Sequence, residues 1–203
     1  MTKLYLVRHG QSEWNILNKV QGQEDTKLTE QGIAQAKKVA NRLSKEDIDL
    51  IYCSDLKRAH DTAKIIGDKI NLPVNSLKDF REINFGIWQG LTLDEVKEKY
   101  KEQNIIWRTE PHNFKLDRAE KLIDVQERMM NKVNDILKNN PDKNVLIVSH
   151  GTAIKSLLLG ILNIDLSNYG KISIGNVGLS IIEFRDYFPV IRVLNDTSHL
   201  REE

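Results

Sequence analysis

Three short runs of uninterrupted apolar residues most constrain how this chain can fold. They are LYLV (Leu4 to Val7), DLIYC (Asp49 to Cys53) and NVLIVS (Asn144 to Ser149), and each leads through a polar turn into a helical pattern. A strand with one wet face alternates apolar and polar side chains, whereas a continuous run needs cover on both faces, as in a parallel sheet. The helical faces between the runs are legible. Ile33, Ala36, Val39, Ala40 and Leu43 share one face, and Leu56, Ala59, Ala63, Ile66 and Ile70 a second. Leu122, Val125, Met129, Val133 and Ile136 make a third. Thr92 and Glu95 have capping-box spacing, and GLSIIEF and VIRVL, on either side of RDYFP, read as a closing antiparallel pair. The expected fold is α/β, a three-layer α/β/α sandwich around a mostly parallel sheet. Residues from about 79 to 124 break the rhythm and carry Trp88, Trp107, Pro111 and Phe114. They read as a lid-like insertion within one domain spanning 1–203.

Charge and cysteine content narrow the possible partners. A net charge of +1 gives no general attraction to nucleic acid or to an anionic membrane, so anion binding must be local. Cys53 is the single cysteine, which excludes an internal disulfide, and its place at the end of an apolar run marks it as a packing residue. No apolar run reaches the ~18 residues that span a bilayer, and the amino terminus lacks a secretory pattern. The expectation is a cytoplasmic protein with neither nucleic-acid nor membrane partners. No apolar stripe stands out to choose between monomer and dimer.

The turns after the three runs carry the chemistry. They are Arg8-His9-Gly10, Ser54-Asp55-Leu56-Lys57-Arg58 and Ser149-His150-Gly151-Thr152. In an open parallel sheet they emerge at one carboxyl edge, where ligands bind. Two histidines and two arginines are therefore expected to meet, beside helix starts whose free N–H groups favour anions. Guanidinium forks match phosphate oxygens, and a glycine after each histidine is expected to allow a tight turn and close approach to a ligand. Read singly, His-Gly is a turn, Arg58 a solvated helix residue and Glu82 a salt-bridge partner. A metal site is not expected: no HxH, HExxH or clustered aspartates accompany His9 or His150, and nearby arginines repel a cation.

Five blocks in order, LVRHGQSEWN, QGQEDTKLTEQGIAQA, CSDLKRAHDTA, REINFGIWQGLT and VSHGTAI, resemble the histidine phosphatase superfamily, also called the phosphoglycerate mutase-like family. The resemblance covers nearly the whole chain and implies a phosphoglycerate mutase-like fold and no cofactor. It implies His9 as nucleophile, with Arg8, Arg58 and His150 around the phosphoryl oxygens and Asn15 as a further donor. Glu82 matches the general acid, with Asp79 and Glu24 as competitors. Gln21, Gly22, Gly151 and Thr152 fall where the family touches substrate. The attacking imidazole must be neutral, so the arginines are expected to lower the pKa of His9. His60, His112 and His199 lie outside the matched roles, and His199 reads as solvated.

The short insertion is similar to the smaller phosphatases, including those acting on α-ribazole phosphate. The implied substrate is a small phosphate ester, its organic part set against Trp88, Trp107, Phe114 and Lys115. The alternatives are a 2,3-bisphosphoglycerate-dependent phosphoglycerate mutase and a non-catalytic phospho-ligand binding protein. Binding alone needs neither a nucleophile nor an acid, so His9 and Glu82 together weigh against the latter. Three departures from the family pattern stand out: Lys27 at a usual proline, Arg118-Ala119-Glu120-Lys121 for a usual Gly-Glu-Ser block, and Gln89 for a frequent glutamate.

Overall fold

The computed structural model describes residues 2–201. In chain order the elements are β1 (Thr2–Arg8), α1 (Glu13–Ile16), α2 (Glu30–Leu43), β2 (Leu50–Ser54), α3 (Lys57–Ile70) and β3 (Val74–Leu77). Then come α4 (Leu93–Lys99), α5 (Lys101–Thr109), α6 (Leu122–Asn139), β4 (Val145–Ser149), α7 (Gly151–Ile161), β5 (Leu179–Phe184) and β6 (Pro189–Asp196). The strands form one sheet in the order β3-β2-β4-β1-β5-β6. The first four are mutually parallel, and β5 runs antiparallel to both β1 and β6.

The central strands show why their runs are continuous. Leu4, Leu6, Val145 and Ile147 pack with Leu122, Val125, Met129 and Val133 of α6 and with Leu157 and Leu158 of α7. Tyr5, Val7, Leu146 and Val148 face the other way, against Val39 and Leu43 of α2 and Ala59, Ala63 and Ile66 of α3. Each such side chain contributes about 1.5–3 kcal/mol by leaving water, so β1 and β4 are apolar at every middle position. No helix among the described residues is long and apolar enough to cross a membrane.

Several details differ from expectation. The edge strand β3 carries no apolar run. It reads VNSL, with Asn75 and Ser76 exposed at the sheet margin, as edge strands tolerate. Ile33 is exposed although it shares the apolar face of α2. The first turn of that helix is instead spent on the loop after β1: a side chain at Gly10 would come within 2.5 Å of the Gly32 carbonyl oxygen. Glycine at position 10 therefore serves a backbone–backbone approach rather than contact with a ligand. Cys53 is buried beside Ser76, and burial pushes its thiol up to about 11.

The Thr92–Glu95 capping box forms in both directions. Residues 79–124 build an aromatic cluster, with Trp88 and Phe114 rings 4.9 Å apart and Phe85 edge-on to Trp107 at 5.0 Å. Val20 joins this cluster, exchanging backbone bonds with Gly90 and Leu91. That pairing ties the loop after α1 to the 79–124 segment above the carboxyl edge of the sheet.

Candidate active site

Strand register brings the two distant histidines together. Arg8, the last residue of β1, is paired with Ser149, the last of β4, and the His9 N–H donates to the Ser149 carbonyl at 3.0 Å. The next residue on each chain segment is a histidine, and the two rings lie 5.2 Å apart, inclined at 58°. Both are buried.

Arg58 enters from the first turn of α3 and is only 1% exposed, so it is not the solvated residue its position suggests in isolation. Its guanidinium donates to the carbonyls of Glu24 and Gly22, both at 2.7 Å. That grip shapes the 21–24 loop, in which Gly22 adopts φ +51°, where a side chain would be strained and would displace the Gln89 carboxamide. Gln89 supplies the oxygen that accepts from the Gln23 N–H at 2.8 Å, and its amide donates to the Glu24 carboxylate at 3.3 Å, a contact that a glutamate there could not make. Arg8 donates to the Ile174 carbonyl at 2.8 Å. The Nε atoms of both arginines and both ring nitrogens of His150 are buried without a hydrogen-bond partner. Buried donors of this kind are satisfied by an anion.

The His9 Nδ1 lies 2.7 Å from the Gly10 carbonyl oxygen. A carbonyl only accepts, so Nδ1 carries the proton and Nε2 keeps its lone pair. Burial first, then the charges of Arg58 and Arg8, holds the His9 pKa well below the ordinary histidine value. The expected influence of the arginines is present, but it is second to desolvation. His150 is depressed too, by burial and then by Arg58, His9 and Arg8.

These two imidazoles make stability depend on pH. Unfolded, they titrate near 6.5, while folded they stay neutral to lower pH. Below about 6.5 the unfolded chain therefore binds more protons. Stability is full above that value and falls as the pH drops toward the depressed folded values. Urea midpoints should decline there, by up to about 1.4 kcal/mol per pH unit for each histidine. The slope should be shallower in His150→Asn, and equal slopes for both proteins would contradict this account.

Glu82 reaches the same edge from the loop after β3. Its Oε1 accepts from the Ile83 and Ala153 N–H groups at 2.9 and 3.1 Å, and its Oε2 from Thr152 N–H at 3.1 Å. The carboxylate thus caps α7 at the helix start that follows His150. Its own carbonyl is held by Gln23 and Arg128, each at 3.0 Å, and Arg128 is paired with Glu120. The glutamate of the altered 118–121 block therefore supports the Glu82 backbone.

A cavity of about 220 Å³ opens over these groups. Arg8, His9, Asn15, Gln21, Gly22, Arg58 and Glu82 line its polar end. Asp79 and Glu24 do not line it, and neither do Gly151, Thr152 or His150, which is fully buried beside His9. Thr152 instead bonds through its hydroxyl to Tyr169 at 2.9 Å. Phe85, Trp88, Leu93, Val96 and Trp107 form the apolar wall, with Lys19 and Asn104 beside it. Phe114 is buried behind that wall and Lys115 is exposed. Lys19, Leu93 and Asn104 carry no motif in the sequence, because chain folding alone brings them here. Among the remaining histidines, His60 is partly exposed and His112 exposed. His199 is not the solvated residue expected, since it is half-buried in a turn packed on α2. Among the described residues no group of three or more His, Cys, Asp or Glu could hold a metal ion.

The histidine phosphatase superfamily (branch 1) model matches residues 4–197. The chain is 38% identical over 202 residues to phosphoserine phosphatase 1 of Hydrogenobacter thermophilus, covering 100% of this chain and 96% of the relative. Its structure is similar to that of YhfR of Bacillus stearothermophilus, with TM-score 0.94 and 31% identity over 99% of this chain and 100% of the other. It is also similar to phosphoserine phosphatase from Entamoeba histolytica, solved with 3-phosphoglyceric acid, with TM-score 0.89, 35% identity and coverage of 99% and 100%. A match across nearly the full length, on a phosphoglycerate mutase-like α/β fold, makes this chain a phosphatase enzyme of the histidine phosphatase superfamily, branch 1.

Proposed function

We propose that the protein hydrolyses a small, carboxylate-bearing phosphomonoester through a phosphohistidine on His9, without a metal. One observation carries this reading: the neutral His9 imidazole lines the cavity with Arg8 and Arg58, whose Nε atoms are buried and unpartnered, and the His150 ring lies 5.2 Å from it with both nitrogens unpartnered. Phosphoryl transfer asks chiefly for alignment and fixed positive charge around the moving group, and the two guanidiniums supply that charge.

In the first step the Nε2 lone pair of His9 forms a bond to phosphorus while the ester P–O bond breaks. The departing oxygen takes a proton from Glu82. In the second step Glu82 accepts a proton from water as that water attacks phosphorus. The N–P bond then breaks, releasing phosphate and neutral His9. Glu82 enters the first step as the carboxylic acid; its Oε2 accepts one backbone bond in the free protein, against two on Oε1, and so has a lone-pair position to carry that proton.

The organic part of the ester would lie against Phe85, Trp88 and Trp107. Lys19 is the cation lining the cavity apart from the two arginines, and it suits a carboxylate. The names of the relatives above point to phosphoserine and phosphoglycerate chemistry and give no support to an α-ribazole substrate. The test is a panel of phosphoserine, 3-phosphoglycerate, glycerol phosphate, α-ribazole phosphate and p-nitrophenyl phosphate assayed in EDTA. Hydrolysis is expected to persist in the chelator, with kcat/KM at least tenfold higher for the carboxylated esters than for glycerol phosphate. Phosphoglycerate interconversion strongly stimulated by 2,3-bisphosphoglycerate, with feeble hydrolysis, would make it a mutase instead. Saturable binding without turnover would make it a binding protein.

A further inference from the structure

The turn at 174–178, between α7 and β5, approaches the phosphoryl site from a part of the chain outside all five motif blocks. It makes five contacts with three site residues, one of them a longer bond from the Val177 N–H to the His9 carbonyl at 3.4 Å. The Arg8 guanidinium donates to the Ile174 carbonyl at 2.8 Å, and the Val177 N–H donates to the Arg8 carbonyl at 3.1 Å. The Asn176 side-chain amide donates to the His9 carbonyl at 3.0 Å and to the Asn15 Oδ1 at 3.3 Å.

The turn is built at a conformational cost. Val177 sits at φ +49°, in the left-handed region that a β-branched side chain rarely enters. Its side chain is fully buried in the core between the sheet and α2, which holds it there. Asn195 of β6 accepts from the Gly175 N–H at 2.7 Å and fixes the outer side of the turn. A strained residue kept next to a side chain that touches His9 and Asn15 calls for an explanation.

The orientation of both carboxamides is dictated by their partners. The Ser12 backbone N–H can only donate, and it points to Asn15 Oδ1 at 3.0 Å. The Ser12 hydroxyl lies 3.1 Å from that oxygen, but its one proton has a shorter bond to the Gln21 Oε1 at 2.8 Å. The His9 carbonyl can only accept, so the Asn176 atom facing it is the amide nitrogen. With the Ser12 N–H and the Asn176 amide donating to its oxygen, Asn15 has its own amide left for the cavity it lines. Turned over, it would present an oxygen to a phosphoryl oxygen, and the two would repel.

We infer that Asn176 is a positioning residue for the phosphoryl site, holding the His9 carbonyl and locking the Asn15 carboxamide with its amide toward substrate. This rests on the phosphohistidine reading above. Asn176 touches no substrate atom itself and acts through His9 and Asn15.

Asn176→Asp tests it with almost no change in volume. The substitution exchanges a donor for an oxygen facing two oxygens, and it places negative charge beside His9. In steady-state assays kcat should fall about 100-fold, with KM within a few-fold of wild type. The acid limb of the kcat/KM profile should move upward, because a nearby anion stabilises the protonated imidazole. A purely packing role would be met almost equally well by aspartate. Asn176→Ala should lose about tenfold in kcat, and Asn15→Ala with Asn176→Ala should lose less than the product of the two single changes, as expected for residues in direct contact.

An aspartate variant within threefold of wild type, or losses that multiply in the double variant, would overturn the inference. If circular dichroism shows Asn176→Asp unfolded, the alanine pair decides. Acid-labile phosphate on the wild-type protein is measured alongside. Its absence would remove the phosphohistidine reading itself, whereas its presence with unaffected Asn176 variants would remove this inference alone.

Discussion

His9→Ala abolishes hydrolysis of every phosphate ester in the panel, with kcat reduced by about 10⁴-fold or more. The size of the loss follows from position. The His9 Nε2 carries the free lone pair because Nδ1 is committed to the Gly10 carbonyl, and neutrality is enforced by burial and by two cations. His150 is the other imidazole in the site, but its register on β4 puts it beside His9 rather than in its place. Binding should survive better than turnover, since Arg8, Arg58 and Asn15 remain. Phosphoserine should therefore still raise the melting temperature of the variant. Quenched-flow labelling checks the chemistry: wild type acquires an acid-labile, base-stable phosphate and the variant acquires none. Retention of activity within tenfold would show that the nucleophile lies elsewhere.

Glu82→Gln should cost about 10²–10⁴-fold in kcat with alkyl esters and far less with p-nitrophenyl phosphate. An alkoxide leaves poorly without a proton, whereas p-nitrophenolate needs little help, so the contrast between the two esters separates acid catalysis from general damage. Some damage is expected as well. The carboxylate accepts backbone bonds on both oxygens, two on Oε1 and one on Oε2. A glutamine offers a single oxygen, leaving the Thr152 N–H opposed to an NH₂ group at the start of α7, at about 1–2 kcal/mol. A fall of a few degrees in melting temperature should accompany the kinetic change. Equal losses with both esters would assign Glu82 to holding α7 and the β3 loop rather than to proton transfer.

The layer arrangement was legible because burial on both faces leaves a mark on every residue of a central strand. LYLV and NVLIVS could serve little else, and the faces of α3 and α6 pack largely as their periodicity implies. The edge of the sheet was not legible. Asn75 and Ser76 of β3 are exposed, so no pattern of burial writes that strand into the sequence. Ile33 misleads for the complementary reason: it has helical spacing, but the loop after β1 occupies the space that spacing alone would assign to it.

Much the same division holds within the site. His9, Arg58 and His150 stood out through short motifs at strand ends, where backbone direction and residue type suffice, whereas Glu82 entered through the family resemblance. The cavity wall and the 174–178 turn did not, since Lys19, Asn104 and Asn176 each sit in ordinary surroundings along the chain. By itself the sequence determined the alternation of covered strands and amphipathic helices and the reactive groups at strand ends, because those follow from local periodicity and chain direction. Only the tertiary structure decided that Asn176 meets His9, that Gln89 shapes the Gly22 loop and that an aromatic wall faces the phosphoryl site. These are long-range contacts, and their free energy depends on packing that no stretch of chain encodes alone.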